Sequence, residues 1–353
     1  MQVTLALFLV ICGASVAFAQ GKGYVANFGS GNVSIVDPAT NTVVGTVPVG
    51  FSPEFLAVTP NDDFVYVTNV NSGAVSVISA ATNTVVATVP IGGIPRGVAI
   101  TPDGAFAYVA NQSNTVNVIS TATNTVTVTI PVTGAPFQIA ITPNGALAYV
   151  TQAFADSVAI IDIATNTVIT TVPVGSVPLG IAITSNGAFA YVSNFSSDNV
   201  MVIKTATNTV VQTVAVGASP FPVAITPNGA FAYVANSDSN TVSVIDTATN
   251  TVLTTVAVQF SPQGVAVDTS GTNVYVANFD SNNLSVISTT TNAIVATIPV
   301  GNSPVGMAFK VAAAGPTNID QCKKRGWGTF TNPAFKNQGD CISFVNRMNH
   351  IIQ

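Results

Sequence analysis

Charged and catalytic side chains are scarce in this chain of 353 residues. Only 7% of the residues are charged, against about 25% in a typical soluble domain, so uncharged polar residues must cover most of the surface. Fourteen acidic against nine basic residues give a net charge of −5, which argues against nucleic acid as a partner. The one histidine, His350, lies close to the C-terminus. We therefore predict neither a Ser–His nucleophile nor a histidine metal site, and we expect no cofactor.

Long apolar runs are also rare, and only one approaches the length of a membrane span. It covers 3–19 and ends in Ala17-Phe18-Ala19, the pattern of a secretory signal peptide cleaved near Ala19 or Gln20. The run is short for a span, but no Lys or Arg precedes it, so an uncleaved anchor stays open as the alternative. We expect 1–20 to be a signal peptide, the protein to be secreted, at the cell surface or periplasmic, and no membrane span to remain after cleavage.

What the chain does have is a strict internal repeat. All seven tyrosines share one register and lie 41 or 42 residues apart, at Tyr24, Tyr66, Tyr108, Tyr149, Tyr191, Tyr233 and Tyr275. Further sets in the same register are the Asn of a Thr-Asn-Thr or Thr-Asn-Ala turn, a proline, and an anchor Asn three residues after six of the seven tyrosines. Spacing this regular indicates one structural unit per repeat.

Each repeat contains four short segments rich in Val, Ile and Thr, separated by turn signals. In the third repeat we expect strand A at 97–101, strand B at 105–110, strand C at 115–120 and strand D at 125–132. Four short antiparallel strands repeated seven times predict an all-β chain, a seven-bladed β-propeller over 21–310.

The two ends of the repeat region predict how the ring closes. The first repeat begins in a strand B, and the last ends in an unpaired strand A near 304–310. Pairing of this C-terminal inner strand with the three N-terminal strands would complete the seventh blade and remove two exposed sheet edges. An open solenoid, with an orphan edge at each end, is the alternative.

The repeat also carries a family resemblance. Tyr66-Val67-Thr68-Asn69 and Tyr149-Val150-Thr151, with the Thr-Asn-Thr turns, resemble the YVTN β-propeller repeat proteins over about 22–310. The resemblance implies a seven-bladed propeller that is secreted or surface-attached. That family is similar in structure to seven-bladed lactonases and to the propellers of some redox enzymes, which carries no activity over to this chain. Gln152 replaces the anchor Asn, so the fourth blade is expected to turn differently.

The repeats differ mainly at one face. The A→B and C→D turns are nearly the same in every repeat and define the uniform face, whereas the B→C and D→A loops vary and define the variable face. The residue after each D→A proline is expected at the mouth of the central channel. This mouth ring is Glu54, Arg96, Phe137, Leu179, Phe221, Gln263 and Val305. Loop phenylalanines nearby are Phe28, Phe51, Phe195, Phe260 and Phe279.

Two interpretations of these residues stay open. Apolar side chains that converge on a concave mouth favour ligand or partner binding, but they would also suit packing between blades. Glu54 and Arg96 could form an ion pair or contact a polar ligand. The loop aspartates could hold Ca²⁺ or cap turns, and because no calcium spacing is present we predict no metal site. These are Asp156, Asp198, Asp238 and Asp280.

Composition changes after Lys310. We predict a linker at 311–316 and a small tail at 317–353, stapled by a disulfide between Cys322 and Cys341. The tail carries five bases and two acids, a net +3, whereas 21–314 carries four bases and twelve acids, a net −8. It resembles a segment found on assorted secreted bacterial proteins. We expect either an attachment or sorting module or a passive cap.

The function expected from the sequence is non-enzymatic. The chain would be a binding scaffold at the cell surface that recognises a protein or a polysaccharide through its variable face. A lactonase-like or other hydrolytic propeller enzyme is the first alternative, and a structural protein of the cell envelope is the second.

Overall fold

The computed structural model describes residues 21–309. Within them, 28 strands form seven separate four-stranded antiparallel sheets, the blades of a propeller, with a single 3₁₀ turn at Val70–Ser72. The predicted seven-bladed, all-β fold is therefore confirmed. The predicted signal peptide, linker, tail and disulfide, together with Lys310, lie outside the described residues.

In each blade the strands A, B, C and D follow one another from the central channel to the outside, and their bounds are similar in every blade. The inner A strands are β4 (Pro53–Val58), β8 (Pro95–Ile100), β12 (Pro136–Ile141), β16 (Pro178–Ile183), β20 (Pro220–Ile225), β24 (Pro262–Val267) and β28 (Pro304–Phe309). The B strands are β1 (Gly23–Asn27), β5 (Phe64–Asn69), β9 (Phe106–Asn111), β13 (Leu147–Gln152), β17 (Phe189–Asn194), β21 (Phe231–Asn236) and β25 (Asn273–Asn278).

The two outer positions follow the same order. The C strands are β2 (Asn32–Asp37), β6 (Ala74–Ser79), β10 (Thr115–Ser120), β14 (Ser157–Asp162), β18 (Asn199–Lys204), β22 (Thr241–Asp246) and β26 (Asn283–Ser288). The outer D strands are β3 (Thr42–Pro48), β7 (Thr84–Pro90), β11 (Thr125–Pro131), β15 (Thr167–Pro173), β19 (Thr209–Ala215), β23 (Thr251–Ala257) and β27 (Ile294–Pro299). The B and C strands are almost wholly buried, as expected for runs of Val, Ile and Ala covered by a blade on each side.

The ring closes as the sequence predicts. The blades are numbered in chain order, so that β4–β7 form blade 2 and β24–β27 form blade 7. Blade 1 has the strand order β28-β1-β2-β3, so the last strand pairs antiparallel with the first. In that pair Phe309 lies opposite Gly23, and its ring fills the space that a side chain at Gly23 would need. The same ring packs on Tyr275 of blade 7, with centroids 4.6 Å apart. The closing blade thus pairs Phe with Gly, where four of the other blades pair Ile with Ala and two pair Val with Val.

Neighbouring blades are joined by a clamp between the tyrosine and the Thr-Asn-Thr turn of the next blade. Tyr66 Oη donates to Asn124 Oδ1 at 2.6 Å, and Tyr275 Oη donates to Asn41 Oδ1 at 3.0 Å across the two ends of the ring. Each turn asparagine has a positive φ, a conformation that Asn tolerates better than most residues. Six of the seven tyrosines make this bond; Tyr24 and Asn83 do not, and neither Tyr24 Oη nor Asn83 Oδ1 has a hydrogen-bond partner.

The anchor Asn of each blade lies buried where strand B turns into strand C. Asn236 Nδ2, for example, donates to the hydroxyls of Thr241 and Ser243 at 3.0 Å. Gln152 keeps the same place in blade 4 and accepts from Ser157 Oγ at 2.8 Å. Its turn has the same register as the turn of blade 5, so the expected difference in the fourth blade is not found.

Candidate binding face

The B→C and D→A loops lie side by side and are tied by hydrogen bonds between residues 21 positions apart. The backbone N–H of Phe51 donates to Ser72 Oγ at 2.7 Å, and the N–H of Phe260 donates to Ser281 Oγ at 3.0 Å. Because the backbone groups are satisfied in this way, the loops present their side chains from fixed positions. The variable face is therefore a rigid surface rather than a set of free loops.

Three of the four loop aspartates, Asp156, Asp198 and Asp238, take part in the same network. Asp156 Oδ1 accepts the backbone N–H of Val177, and Asp198 Oδ1 accepts that of Ser219, both in the place that Asn114, Asn240 and Asn282 fill in other blades. Asp238 Oδ2 accepts from Ser219 Oγ at 2.6 Å. For the first two, carboxylate and amide are interchangeable, which is the behaviour of a turn cap.

The mouth of the channel is closed by three phenylalanines. Phe137 packs edge-on against Phe221, with centroids 5.6 Å apart, and both contact Phe55, at 5.9 and 6.3 Å. Phe55 and Phe137 are buried within one hydrophobic cluster, and Leu179 and Phe221 pack against it. We call Phe55, Phe137 and Phe221 the plug. Sequence reasoning missed Phe55, although it directly follows the mouth residue Glu54.

Beside the plug lies the ion pair of Glu54 and Arg96. Arg96 Nη1 donates to both carboxylate oxygens of Glu54, at 2.8 and 2.7 Å, its Nε donates to Gln112 Oε1 at 3.0 Å, and its guanidinium lies 5.1 Å from the centre of the Phe137 ring. Burial raises the pKa of the Glu54 carboxyl above its ordinary value, and the Arg96 charge works against that rise. The sequence left open whether Glu54 and Arg96 form an ion pair or contact a polar ligand, and this geometry favours the ion pair. Gln112 was missed because it reaches Arg96 from a B→C loop one residue shorter than its neighbours.

Two further members of the mouth ring are Val305 and Gln263. Val305 is buried, and Gln263 Nε2 donates to Ser261 Oγ at 3.2 Å. One or two residues further along the inner strands the channel holds a cavity of about 150 Å³, lined by Phe55, Gln138, Gln263 and Met307 among others. Ligand pockets usually measure about 300–1,000 Å³, so this cavity is too small for an ordinary organic substrate.

The loop aromatics divide into two groups. Phe28, Phe195 and Phe279 are half-buried, and the rings of Phe28 and Phe279 lie 6.4 Å apart in adjacent blades. Phe51 and Phe260 are 75% and 65% exposed, and two further side chains that sequence reasoning missed join them, Phe154 at 78% and Ile94 at 41%. We call Phe51, Ile94, Phe154 and Phe260 the rim. Phe154 escaped notice because it lies two residues after its anchor, one later than Phe28, Phe195 and Phe279.

The chemistry available at this face is limited. Residues 21–309 contain no group of three or more His, Cys, Asp or Glu side chains able to hold a metal ion, and no helix of theirs is long and apolar enough to cross a membrane. Glu54, the one buried carboxylate that the described part of the chain places at the mouth, is engaged by Arg96. What the face offers is exposed apolar area on a fixed frame.

Comparison with known proteins gives the same architecture. A family model described as a YNCE-like beta-propeller matches residues 6–314. Hydrazine synthase of Kuenenia stuttgartiensis is similar in structure over 80% of this chain and 99% of its own, with 23% identity and a TM-score of 0.70. A functionally unknown protein of Desulfotomaculum acetoxidans DSM 771 is similar over 82% and 98%, with 21% identity and a TM-score of 0.74.

A third solved structure is more distant. Dihydro-heme d1 dehydrogenase NirN in complex with DHE is similar over 83% of this chain and 76% of its own, with 14% identity and a TM-score of 0.63. No curated protein matches the sequence significantly. At these identities the solved structures establish the fold and carry no activity.

Proposed function

Because the chain belongs to the YNCE-like beta-propeller family, a fold without a fixed activity, we propose from its own surface that it is a non-enzymatic scaffold that binds a protein partner through the variable face. One observation carries the proposal. Three phenylalanines and an isoleucine stand exposed on hydrogen-bonded loops around a mouth that the plug closes. A closed mouth favours a macromolecule that lies across it over a small molecule that enters it.

The rim has the properties of interface anchors. Aromatic side chains dominate the energetics of protein interfaces, and anchors that are already ordered lose little entropy on binding. The rim residues come from the loops of blades 2, 3, 4 and 7, so they are spread over several blades instead of forming one small patch. Phenylalanine and isoleucine offer no hydrogen bonds to sugar hydroxyls, which favours protein over polysaccharide as the partner.

The test compares two variants of the full chain in which net charge is unchanged. The rim variant carries Phe51→Lys, Ile94→Glu, Phe154→Lys and Phe260→Glu. The control carries Val44→Lys, Val86→Glu, Val211→Lys and Val295→Glu on the outer strands, so it removes the same number of exposed apolar side chains elsewhere. Each protein is immobilised and exposed to an extract of its source cells, and a retained protein is then purified and titrated.

The proposal expects a partner that binds the wild type and the control and binds the rim variant at least about tenfold more weakly, the loss that one anchor residue typically causes. Equal retention by all three proteins would overturn it. Retention of a purified polysaccharide, lost in the rim variant, would replace the protein partner with a carbohydrate. Turnover of a lactone by the wild type would favour the enzyme alternative.

A further inference from the structure

We propose that copies of this chain associate with one another through the outer edge of the propeller, along the seven D strands, which we call the perimeter. This contact lies away from the variable face and does not depend on the function proposed for it. It rests on three observations: the perimeter has no charge, it carries most of the exposed apolar side chains, and each of its strands presents an outward bulge.

The first two observations concern composition. None of the seven D strands contains a charged residue. Of the sixteen large hydrophobic side chains that are exposed within 21–309, eleven lie on these strands. They are Val43, Val44, Val85, Val86, Val168, Ile169, Val210, Val211, Leu253, Ile294 and Val295. Single exposed aliphatic residues are ordinary, but a belt of them without one charge is the kind of surface that marks a contact site.

The third observation is a β-bulge at the same place in every D strand. In blade 1, Ile35 lies opposite Gly45 and Val36 opposite Val43, which leaves Val44 as the extra residue. The equivalent residue in the other blades is Val86, Thr127, Ile169, Val211, Leu253 or Val295. The six apolar ones are 47–57% exposed, so the bulge turns an aliphatic side chain outward in six of the seven blades.

Natural edge strands are normally protected against pairing by lysine, proline or inward charges. Within residues 21–309, the D strands carry only the bulge and, in five of them, a proline at the end as protection. A bulge interrupts the row of free backbone groups, so two perimeters would meet mainly through their aliphatic side chains, with short stretches of free strand edge beside them.

A second copy is the occupant that fits this surface best. Residues 21–309 carry twelve acidic and three basic residues, a net −9, and all fifteen lie outside the D strands. Two copies that approach by their variable or uniform faces therefore bring acidic groups into contact, whereas two perimeters meet with no charged side chain in the contact and so with less repulsion. The perimeter repeats the same uncharged motif around the ring, so any orientation about the propeller axis offers a matching partner strand. One strand contact is small, so association should be weak, reversible and multivalent.

The experiment is sedimentation velocity of the purified full chain over a hundredfold range of concentration. The perimeter variant carries Val44→Lys, Val86→Glu, Ile169→Lys, Val211→Glu, Leu253→Lys and Val295→Glu, which leaves the net charge unchanged. The rim variant described above is the matched control. We expect the weight-average mass of wild type and rim variant to rise towards a dimer or larger species, and that of the perimeter variant to stay at one chain.

A second measurement needs no variant and guards against misfolding of the multiple mutant. Amide hydrogen exchange of the wild type is compared at the two ends of the concentration range, and we expect added protection in the D strands alone. A wild type that is a single chain at every concentration overturns the proposal. So does added protection that falls in the variable-face loops, because the copies would then meet there.

Discussion

The two faces of the propeller are built from the same strands, yet equivalent residues are conserved from blade to blade on the uniform face and differ on the variable face. On the uniform face a tyrosine from one blade holds the Thr-Asn-Thr turn of the next, and six of seven blades make that bond in the same way. On the variable face the seven equivalent positions of the mouth ring hold glutamate, arginine, phenylalanine (twice), leucine, glutamine and valine. Residues that are the same in every blade make the contacts that hold neighbouring blades together. Residues that differ between blades are available for contacts that occur at one place only.

The largest effect is expected at high pH, because ionisation of the tyrosines would disrupt all the clamps of the uniform face at once. Burial raises the pKa of six tyrosines from about 10 to about 12 and that of Tyr275 further still. The folded state therefore keeps protons that the unfolded state loses above pH 10, so stability is fully present below pH 10 and falls as the pH rises towards 12. We expect tyrosine ionisation and loss of the β-sheet circular dichroism signal to coincide. Ionisation near pH 10 in a protein that stays folded would contradict this.

The next largest effect is on the free energy of unfolding, and it distinguishes a buried phenylalanine of the plug from an exposed phenylalanine of the rim. Phe137 is buried against Phe55, Phe221 and Arg96, so Phe137→Ala should lower the free energy of unfolding by about 3 kcal/mol, as large core truncations do. Phe51 is exposed, and Phe51→Ala should change it by less than about 0.5 kcal/mol. Urea unfolding measures both values. Equal losses would mean that the plug is no more structural than the rim.

A smaller effect sharpens the comparison within the uniform face. Tyr108 Oη donates to Asn166 Oδ1 at 2.6 Å, whereas Tyr24 Oη has no hydrogen-bond partner. Tyr108→Phe should therefore cost about 1 kcal/mol, and Tyr24→Phe should cost almost nothing or stabilise the protein. The two substitutions remove the same atom from equally buried rings, so each is the control of the other. A larger loss at Tyr24 would show that the clamp is not what holds neighbouring blades.

The smallest effect is expected at the rim. The rim variant replaces side chains that are largely exposed, so its melting temperature should stay within a few degrees of the wild type, consistent with a change of about 1 kcal/mol or less. Differential scanning calorimetry gives the value. A fall as large as that of Phe137→Ala would assign the rim to packing.

The sequence predicted what the repeats share and missed what happens where different blades meet. The tyrosine, asparagine and proline registers sufficed for seven blades and for the pairing of the last strand with the first. The plug was only half predicted, because Phe55 occupies a position that holds glycine in four other blades. Gln112 could not be connected to Arg96, since their contact depends on a loop shortened by one residue. The open clamp at Tyr24 also left no mark in the sequence, because both of its residues follow the repeat.

The most direct test of the account measures stability and partner binding side by side in the rim variant and in Phe137→Ala. The account predicts opposite results: the rim variant keeps its melting temperature and loses the partner, while Phe137→Ala loses stability and keeps the partner at temperatures where it is folded. A rim variant that unfolds early but still binds, beside a Phe137→Ala protein that is stable but does not bind, would contradict it.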